Sequence, residues 1–377
     1  MLVLGTSLAF GSSAMPPSPP LRFTPVDRAA GPPSAPIVSI VVSTYNRAHL
    51  LRGAIERLLA QRTSFPYEVI VVDNNSADHT AAVLQEAARS GAQLFRFGFE
   101  PRQGVSYGRN KGIELSHAPI VAFTDDDVLV TPDWAERVVQ ALTEHPEVDC
   151  VGGRVVPVWK TPPPNWLSRE HWSPLALVDY GSEPFYVDRR RPVCLVTANV
   201  AYRRTALDEI GWFSAEFPRC QDHELLLRLW RAERRGLYLP SLVVTCEVPP
   251  ERLRWEYHRR WHADHGRFLA RMPDESSRAE GLVQATLFGV PAVYYRQLAS
   301  HVMRWLGSLA AGRRSAARRA EVLARQRASF IASRARQWKQ QGDSVFGELL
   351  RFCVAWIARR RARRPRQQVP VRTAQQG

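Results

Sequence analysis

Three consecutive carboxylates, Asp125, Asp126 and Asp127, follow an apolar run at residues 120–123, with only Thr124 between them. A buried parallel strand is apolar on both faces, and open α/β sheets bind ligands just beyond the carboxyl ends of their strands. Adjacent carboxylates also raise one another's pKa unless a cation neutralises them. Mg²⁺ and Mn²⁺ are commonly held by one or two carboxylates together with substrate phosphates. The stretch therefore predicts a divalent-metal site, and its alternative is a solvated acidic turn.

The elements that must position these carboxylates alternate between strand and helix. Runs of β-branched residues predict the strands, and apolar residues at helical spacing predict the helices. We predict strands at residues 37–43, 67–72, 94–97 and 120–124, and helices at residues 50–59, 81–90, 105–115 and 134–144. This alternation implies right-handed βαβ crossovers and a mostly parallel sheet with helices on both faces. Polar clusters at residues 45–47, 73–75 and 125–127 then meet at one edge of that sheet.

The pattern beyond residue 144 is less regular. Residues 151–156 predict an edge strand, and the prolines at 162–164 cannot continue it. A second strand is expected at residues 193–202, followed by a helix that starts near Thr205. A later helix carries Asp222 and Glu224 in its first turn, where their negative charges interact favourably with the positive end of the helix dipole.

Composition and charge limit the class of protein. The chain has 377 residues and is 45% hydrophobic, which suits one large globular domain with an appendage. Its net charge of +15 is concentrated in the tail, where 17 basic residues and only three acidic ones lie between Arg313 and Arg372. The preceding chain is close to neutral and carries no nucleic-acid-binding motif, so we expect no specific nucleic-acid partner.

The cysteines and the N-terminal residues indicate the cellular compartment. Five widely spaced cysteines without a C-x-x-C pair argue against a disulfide framework and structural zinc, and they fit a reducing, cytoplasmic location. The apolar run within residues 1–14 has no basic segment before it, so we expect a disordered leader over residues 1–35 rather than a secretion signal. No apolar run reaches 18 residues, so no transmembrane helix is expected.

Five short motifs in order resemble the inverting nucleotide-sugar glycosyltransferases of family 2, which have the GT-A fold. They are SIVVSTYNR at residues 39–47, EVIVVDNNS at 68–76, GRNKGI at 108–113, FTDDD at 123–127 and QDHEL at 221–225. The resemblance implies an α/β GT-A domain over residues 36–270 and a basic helical region over 271–377. It also implies transfer of a sugar from a nucleoside-diphosphate sugar to a hydroxyl acceptor, with Mg²⁺ or Mn²⁺ as cofactor.

The resemblance further implies roles at the donor side. Asp127 would coordinate the metal and Asp125 would share it or contact the ribose, which leaves Asp126 as the most replaceable carboxylate. The metal would stabilise the charge that develops on the diphosphate. Arg109 would pair with phosphate or base, and the alternative is a charge on a helix surface. The implied donor-binding residues are Thr44, Tyr45, Asn46, Asp73, Arg109, Asn110, Asp125 and Asp126.

On the acceptor side, Asp222 matches the base that would deprotonate the acceptor hydroxyl. The family's usual Glu-Asp is Gln221-Asp222 here, which leaves acceptor binding near Gln221 less defined. Asn199 and Glu224 are further acceptor-side candidates, although simple helix capping also accounts for Glu224. His258 is a candidate third metal ligand or could reach the diphosphate, but a histidine among helical aromatic residues is more often packed than ligating.

The tail predicts amphipathic basic helices, with one apolar stripe running from Tyr294 to Leu309 and another beginning at Phe346. Such helices with Trp and Tyr are typical of membrane surfaces, here the cytoplasmic face of an inner membrane, although packing on the protein is the alternative. A membrane surface would suit a glycan, lipid-linked or small-molecule acceptor of the cell envelope. The rival functions are a nucleotidyltransferase or non-catalytic sugar-nucleotide binder and, less favoured, a tail-mediated nucleic-acid binder. The oligomeric state stays open.

Overall fold

The computed structural model describes residues 35–90, 94–272 and 286–342, together with Gly347. Residues 1–34 of the expected leader and the apolar stripe expected from Phe346 lie outside these residues.

The described chain alternates strand and helix up to β4 and is more irregular beyond it. The strands are β1 Val38–Thr44, β2 Tyr67–Asp73, β3 Phe95–Phe99, β4 Ile120–Asp125, β5 Val128–Val130, β6 Cys150–Trp159, β7 Phe185–Val187, β8 Val200–Arg203, β9 Gly236–Val248, β10 Thr286–Leu287 and β11 Val290–Pro291. The α-helices are α1 Ala48–Leu59, α2 Thr80–Arg89, α3 Val105–Leu115, α4 Trp134–Glu144, α5 Arg204–Ile210, α6 Gln221–Arg231, α7 Trp255–Leu269, α8 Ala292–Ala310 and α9 Arg314–Gln340.

One nine-stranded sheet organises the described core. Its order is β3-β2-β1-β4-β8-β6-β9-β5, and β7 pairs with β9 beside this path. The strands β1 to β4 are parallel neighbours, whereas β8 runs antiparallel to both β4 and β6. The α/β class with a mostly parallel sheet is confirmed, and β1, β2 and β4 are buried along nearly their whole length.

The register brings the polar strand ends together. Thr44 at the end of β1 pairs with Asp73 at the end of β2, and Ser43 pairs with Asp125 at the end of β4. Parallel strands have their carboxyl ends at one edge of a sheet, so the three clusters predicted to meet there do so.

Two strand predictions are wrong. The strand predicted at an edge is β6, which lies inside the sheet between β8 and β9. Pro157 is tolerated in β6 because it lies beyond Gly152, the last residue paired with β8, where only β9 remains as a ladder partner. The strand predicted at 193–202 is limited to β8, since residues 197–199 form a 3₁₀ turn before it. The pattern also does not predict β9, because Pro240 interrupts its apolar run.

The C-terminal helices pack on the α/β domain through α7. Gly266 of α7 lies so close to α9 that a Cβ there would be 2.1 Å from the Gln326 carbonyl oxygen. The Arg318 guanidinium lies 5.3 Å from the ring centres of both Trp166 and Trp255, which ties α9 to the loop after β6 and to the start of α7. The described part of the tail is therefore anchored on the domain, and α8 in turn packs on α9.

Candidate functional site

A cavity of about 390 Å³ opens at the carboxyl ends of β1 and β4. It lies at the sheet edge where ligands bind in open α/β folds. The side chains around it come from the β1 end, the loop before α3, α3 itself, the β4 end and the segment before α7. Its lining residues are Ser43, Thr44, Tyr45, Arg47, Asn74, Gln103, Gly104, Val105, Arg109, Asp125, Asp126, Asp127, Val128, Val155, Ala176, Ala198, Cys246 and Arg252.

Arg47 neutralises two of the three carboxylates in this cavity. Its Nη1 donates hydrogen bonds to Asp126 Oδ1 at 2.7 Å and to Asp127 Oδ2 at 2.8 Å. Burial nevertheless raises the pKa of Asp126 to about 6, against the opposing effects of Arg47 and Thr44. Burial and then the neighbouring Asp125 raise the pKa of Asp127. Both carboxyl groups therefore lie in a site that favours additional positive charge.

Sequence reasoning missed Arg47 as a site residue. The signal was its place directly after the Tyr45-Asn46 pair at the end of a predicted buried strand, in the polar cluster already assigned to the sheet edge. A cationic side chain facing three carboxylates across that edge follows from the parallel register.

Arg109 is positioned by the close packing of α3 on β1. A Cβ at Gly108 would lie 2.1 Å from Ser43 Oγ, and one at Gly112 would lie 2.2 Å from Val41 Cγ1, so both positions need glycine for this approach. Arg109 is only 5% exposed, and its Nη2 donates to Asp125 Oδ1 at 2.9 Å. Its buried Nη1 has no hydrogen-bond partner in the part of the chain that the structure describes. The surface-charge alternative for Arg109 does not fit this burial.

The carboxylates fit a divalent cation only with help from a ligand. Asp125 and Asp127 line the same cavity and offer hard oxygen atoms, as Mg²⁺ and Mn²⁺ prefer. Within residues 35–90, 94–272 and 286–342, no group of three or more His, Cys, Asp or Glu side chains could hold a metal. This donor set therefore suits an ion whose remaining ligands are phosphate oxygens and water.

The loops after β1 and β2 are joined beside the cavity. Asn46, in the left-handed region at φ 53°, accepts from the Ala77 N–H and donates its own N–H to Ser76 Oγ. Asp73 Oδ1 accepts the Ser76 N–H at 2.9 Å. Tyr45 is 47% exposed at the cavity mouth, where its ring is available to a planar ligand. Neither Asn46 nor Asp73 is among the lining residues.

Asp222 lies in a second cavity, of about 650 Å³, which shares Ala176 and Arg252 with the first. Gln221 also lines it, and the buried Gln221 Oε1 has no partner among the described residues. Asp222 Oδ1 accepts the His223 N–H at 2.9 Å, at the start of α6. Four aromatic side chains with polar edges contribute to the wall: Trp172, Tyr180, Tyr257 and Trp261.

Two predicted site residues, Asn110 and Asn199, have both ends of their side-chain amides engaged by the protein. Asn110 Nδ2 donates to the Phe213 carbonyl and its Oδ1 accepts the Phe213 N–H, which fastens α3 to the segment before α6. Asn199 Oδ1 accepts from Trp134 Nε1, and its Nδ2 donates to the carbonyls of Arg154 and Leu242.

Glu224 and His258 also lie outside both cavity linings. Glu224 pairs with Arg228 through two hydrogen bonds of 2.8 Å. His258 is fully buried, with ring centres 4.9 Å from Trp166 and 6.2 Å from Trp255. These surroundings favour the packed-histidine alternative for His258. Glu224 forms an ion pair within α6 and no side-chain cap, so the capping alternative is not supported.

Comparison with known proteins adds a family match. The sequence profile described as Glycosyl transferase family 2 matches residues 39–211, from the second residue of β1 to the residue after α5. This segment carries the three carboxylates of the first cavity. The resemblance seen in the motifs is confirmed by this match.

The chain spans only part of the length of the curated relatives that it matches. It is 30% identical over 188 residues to the glucosyl-dolichyl phosphate glucuronosyltransferase of Haloferax volcanii, covering 49% of this chain and 58% of that protein. It is 26% identical over 235 residues to the chondroitin synthase of Escherichia coli, covering 54% and 33% respectively. The chain thus spans between a third and three fifths of these two relatives.

Among solved structures, the chain resembles the mannosyltransferase PcManGT from Pyrobaculum calidifontis, determined with GDP-Man and Mn²⁺. The TM-score is 0.49 at 18% identity, and the alignment covers 90% of this chain and 92% of that one.

Proposed function

We propose that this protein is a metal-dependent inverting glycosyltransferase that moves a sugar from a nucleoside-diphosphate sugar to a hydroxyl acceptor. The observation that carries the proposal is the junction of the two cavities. One holds three carboxylates with a buried arginine, the other holds Asp222, and they share Arg252 and Ala176. Inversion needs donor and base on opposite sides of the reacting carbon, and two adjoining cavities provide this arrangement. We further propose that residues 36–270 form the transferase domain and 271–377 a helical appendage.

The first cavity would hold the donor. Tyr45 at its mouth offers a ring for stacking on the nucleoside base. Arg109 would pair with a phosphate, since its buried Nη1 has no partner among the described residues. Asp125 and Asp127 would hold Mg²⁺ or Mn²⁺ between the protein and the diphosphate. The bound ion would supply Lewis-acid stabilisation of the negative charge on the leaving group. Asp73 and Asn46 would act through the loop geometry beside the base.

The second cavity would hold the acceptor. Asp222 would accept the proton from the attacking hydroxyl. Gln221 would orient that hydroxyl, since its buried Oε1 has no hydrogen-bond partner among the residues that the structure describes. Aromatic walls such as Trp172 and Trp261 present apolar faces with polar edges, as pyranose rings require. We propose a glycan or lipid-linked glycan as the acceptor, because the cavity is larger than one hydroxyl-bearing ring needs.

A screen of nucleotide sugars with Mn²⁺ or Mg²⁺ tests this function. We expect one donor class to raise the melting temperature only with metal, and to be hydrolysed slowly without acceptor. The Asp222→Asn variant should keep the donor-dependent shift and lose turnover by at least about a hundredfold, as general-base removal does. If no sugar nucleotide shifts the wild-type protein, the proposal fails. A variant that keeps full turnover would instead favour a sugar-nucleotide binder with another chemistry.

We also propose that α8 contacts an anionic membrane surface, on the cytoplasmic side where nucleotide sugars are available. Met303, Leu306 and Leu309 are 69%, 53% and 53% exposed, at a spacing that puts them on one side of the helix. Tyr294, at the opposite end, stacks on Phe330 of α9 instead, so part of the predicted stripe faces the protein. The helix sequence has basic but no acidic residues, which complements anionic lipid. No described helix is long and apolar enough to cross a bilayer.

Liposome flotation tests the membrane proposal. We expect the full chain to float with vesicles containing phosphatidylglycerol and not with neutral phosphatidylcholine vesicles. The double change Met303→Gln and Leu306→Gln should reduce flotation, whereas Phe97→Gln and Phe99→Gln on the exposed face of β3 serve as a matched apolar control. Equal flotation of both double variants would overturn the assignment of α8.

A further inference from the structure

Arg252 occupies the boundary between the two cavities. It lies in the 3₁₀ turn Pro250–Leu253 that connects β9 to α7, and it lines both the donor-side and the acceptor-side cavity. Leu253, the next residue, is buried and fixes the turn against the core. Of the described residues, only Arg252 and Ala176 line both cavities, and of these two only Arg252 carries a charge.

The Arg252 guanidinium has no hydrogen-bond or ion-pair partner in the described part of the chain, residues 35–90, 94–272 and 286–342. Arg47 and Arg109, in the same cavity, each hold a carboxylate. The positive charge of Arg252 still acts on the site, because it helps to lower the pKa of Asp127 against the effect of burial. An arginine with five N–H donors and no carboxylate partner is suited to an anion from outside the protein.

His258 holds the turn that presents Arg252. Its Nε2–H donates a hydrogen bond to the Arg252 carbonyl oxygen at 3.1 Å. Burial lowers the pKa of His258 to about 4, so the ring stays neutral and acts as a fixed donor. The ring is clamped between Trp166 and Trp255 and cannot easily turn away. The fully buried His258 therefore helps to fix the position of the turn that carries Arg252.

We propose that Arg252 forms a phosphate-binding subsite at the junction of the cavities and binds the diphosphate of the sugar nucleotide as it leaves. This inference rests on the proposed transferase function. In that reaction the acceptor oxygen forms a bond to the anomeric carbon while the bond from that carbon to the diphosphate oxygen breaks. The electron pair stays on the diphosphate, and the acceptor proton passes to Asp222. Charge therefore grows on the diphosphate at the boundary where Arg252 lies, and its donors stabilise that charge.

A phosphate at this junction could also belong to a phosphorylated acceptor, and the experiment separates the two sources. Calorimetry without acceptor compares UDP, dTDP and GDP with the corresponding nucleosides, in the presence of Mn²⁺ and again with EDTA. For whichever nucleotide binds, Arg252→Ala should weaken diphosphate binding by about tenfold or more under both conditions, the effect of one lost charge-assisted hydrogen bond. Nucleoside binding should not change. Arg252→Lys should recover only part of the affinity because it loses the planar donor pair.

Arg254→Ala is the matched control, since Arg254 is exposed and lines neither cavity. It should bind nucleotide like the wild type. Unchanged diphosphate affinity in Arg252→Ala would overturn the subsite while leaving the transferase function intact. A loss that appears only in the KM for a phosphorylated acceptor would assign the subsite to the acceptor and overturn the donor assignment. A wild-type protein that binds no nucleotide would overturn both proposals.

The positioning role of His258 has its own readout. His258→Phe keeps an aromatic ring between the tryptophans and removes the donor to the Arg252 carbonyl. We expect it to lower diphosphate affinity several-fold while nucleoside affinity stays the same. Combined with Arg252→Ala it should cause no further loss, because both changes act on one subsite. Additive losses in the double variant would show that His258 acts only through general stability.

Discussion

Thr44 Oγ1 donates a hydrogen bond to Asp126 Oδ2 at 2.7 Å, across the carboxyl ends of β1 and β4. Asp126 is 4% exposed and also accepts from Arg47. The residue expected from the sequence to be the most replaceable of the three carboxylates is thus the one most deeply built into the protein. Its role is to hold the two strand ends and the Arg47 side chain in place.

We predict that Asp126→Ala and Asp127→Ala fail in different ways. Asp126→Ala leaves Thr44 without its acceptor and should lower the free energy of unfolding by about 1–3 kcal/mol. Asp127→Ala, at the cavity wall, should cost less stability and should abolish the increase in donor affinity caused by Mn²⁺. Urea unfolding and calorimetry with and without Mn²⁺ measure the two effects. Equal stability losses in both variants would contradict the structural role of Asp126.

Replacing a helical glycine by alanine should have opposite effects on stability at two positions, because Gly266 of α7 packs against α9 and a side chain at Gly53 of α1 would extend into open space. Gly266→Ala would push a methyl group against the Gln326 carbonyl and should destabilise the protein by about 1–3 kcal/mol. Gly53→Ala in α1 meets nothing within 4 Å and should stabilise by about 0.5–1 kcal/mol through helix propensity. Thermal unfolding of both variants checks the difference. A Gly266→Ala protein as stable as Gly53→Ala would mean that α9 does not pack there.

Low pH should destabilise the packing of α7 on α9. His262 is buried, with its Nδ1 3.1 Å from Gln326 Oε1 of α9, and burial lowers its pKa from 6.5 to about 4. Between these two values the unfolded chain binds a proton that the folded chain does not, so stability is lost as pH falls from about 6.5 towards 4. At pH 5 the loss from this histidine is about 2 kcal/mol. Urea unfolding at pH 7.5 and pH 5 should show it.

His262→Gln provides the comparison for the acid prediction, since it keeps a hydrogen-bonding side chain that does not titrate. The difference in unfolding free energy between pH 7.5 and pH 5 should shrink by about 2 kcal/mol in this variant. A pH dependence identical in the wild type and in His262→Gln would remove His262 as its cause.

The regular first half of the domain was readable from the sequence because its signals are local. The β-branched runs of β1 and β2 and the helical spacing of α3 specify their own elements, and parallel pairing then sends Thr44, Asp73 and Asp125 to one edge. The partners of individual side chains were not readable in this way. Arg47 meets Asp126 and Asp127 from about 80 positions away, and β9 depends on sheet neighbours that override Pro240. Such long-range pairings leave no periodic trace in the chain.

A substitution at Asn110 distinguishes a structural role in holding α3 from direct binding of the sugar nucleotide. Its amide makes two hydrogen bonds to the Phe213 backbone, at 2.8 Å and 3.0 Å, and the Phe213 ring lies under the Arg109 guanidinium. Asn110→Ala should lower the free energy of unfolding by about 1–3 kcal/mol, because both backbone groups lose their partner. At a temperature where the variant is fully folded, its nucleotide affinity should stay within about threefold of wild type, an effect well under the tenfold expected for a lost charge-assisted contact. Lys111→Ala, which removes only a surface pair with Glu114, is the control for helix α3. A large affinity loss without a stability loss would restore Asn110 as a direct donor ligand.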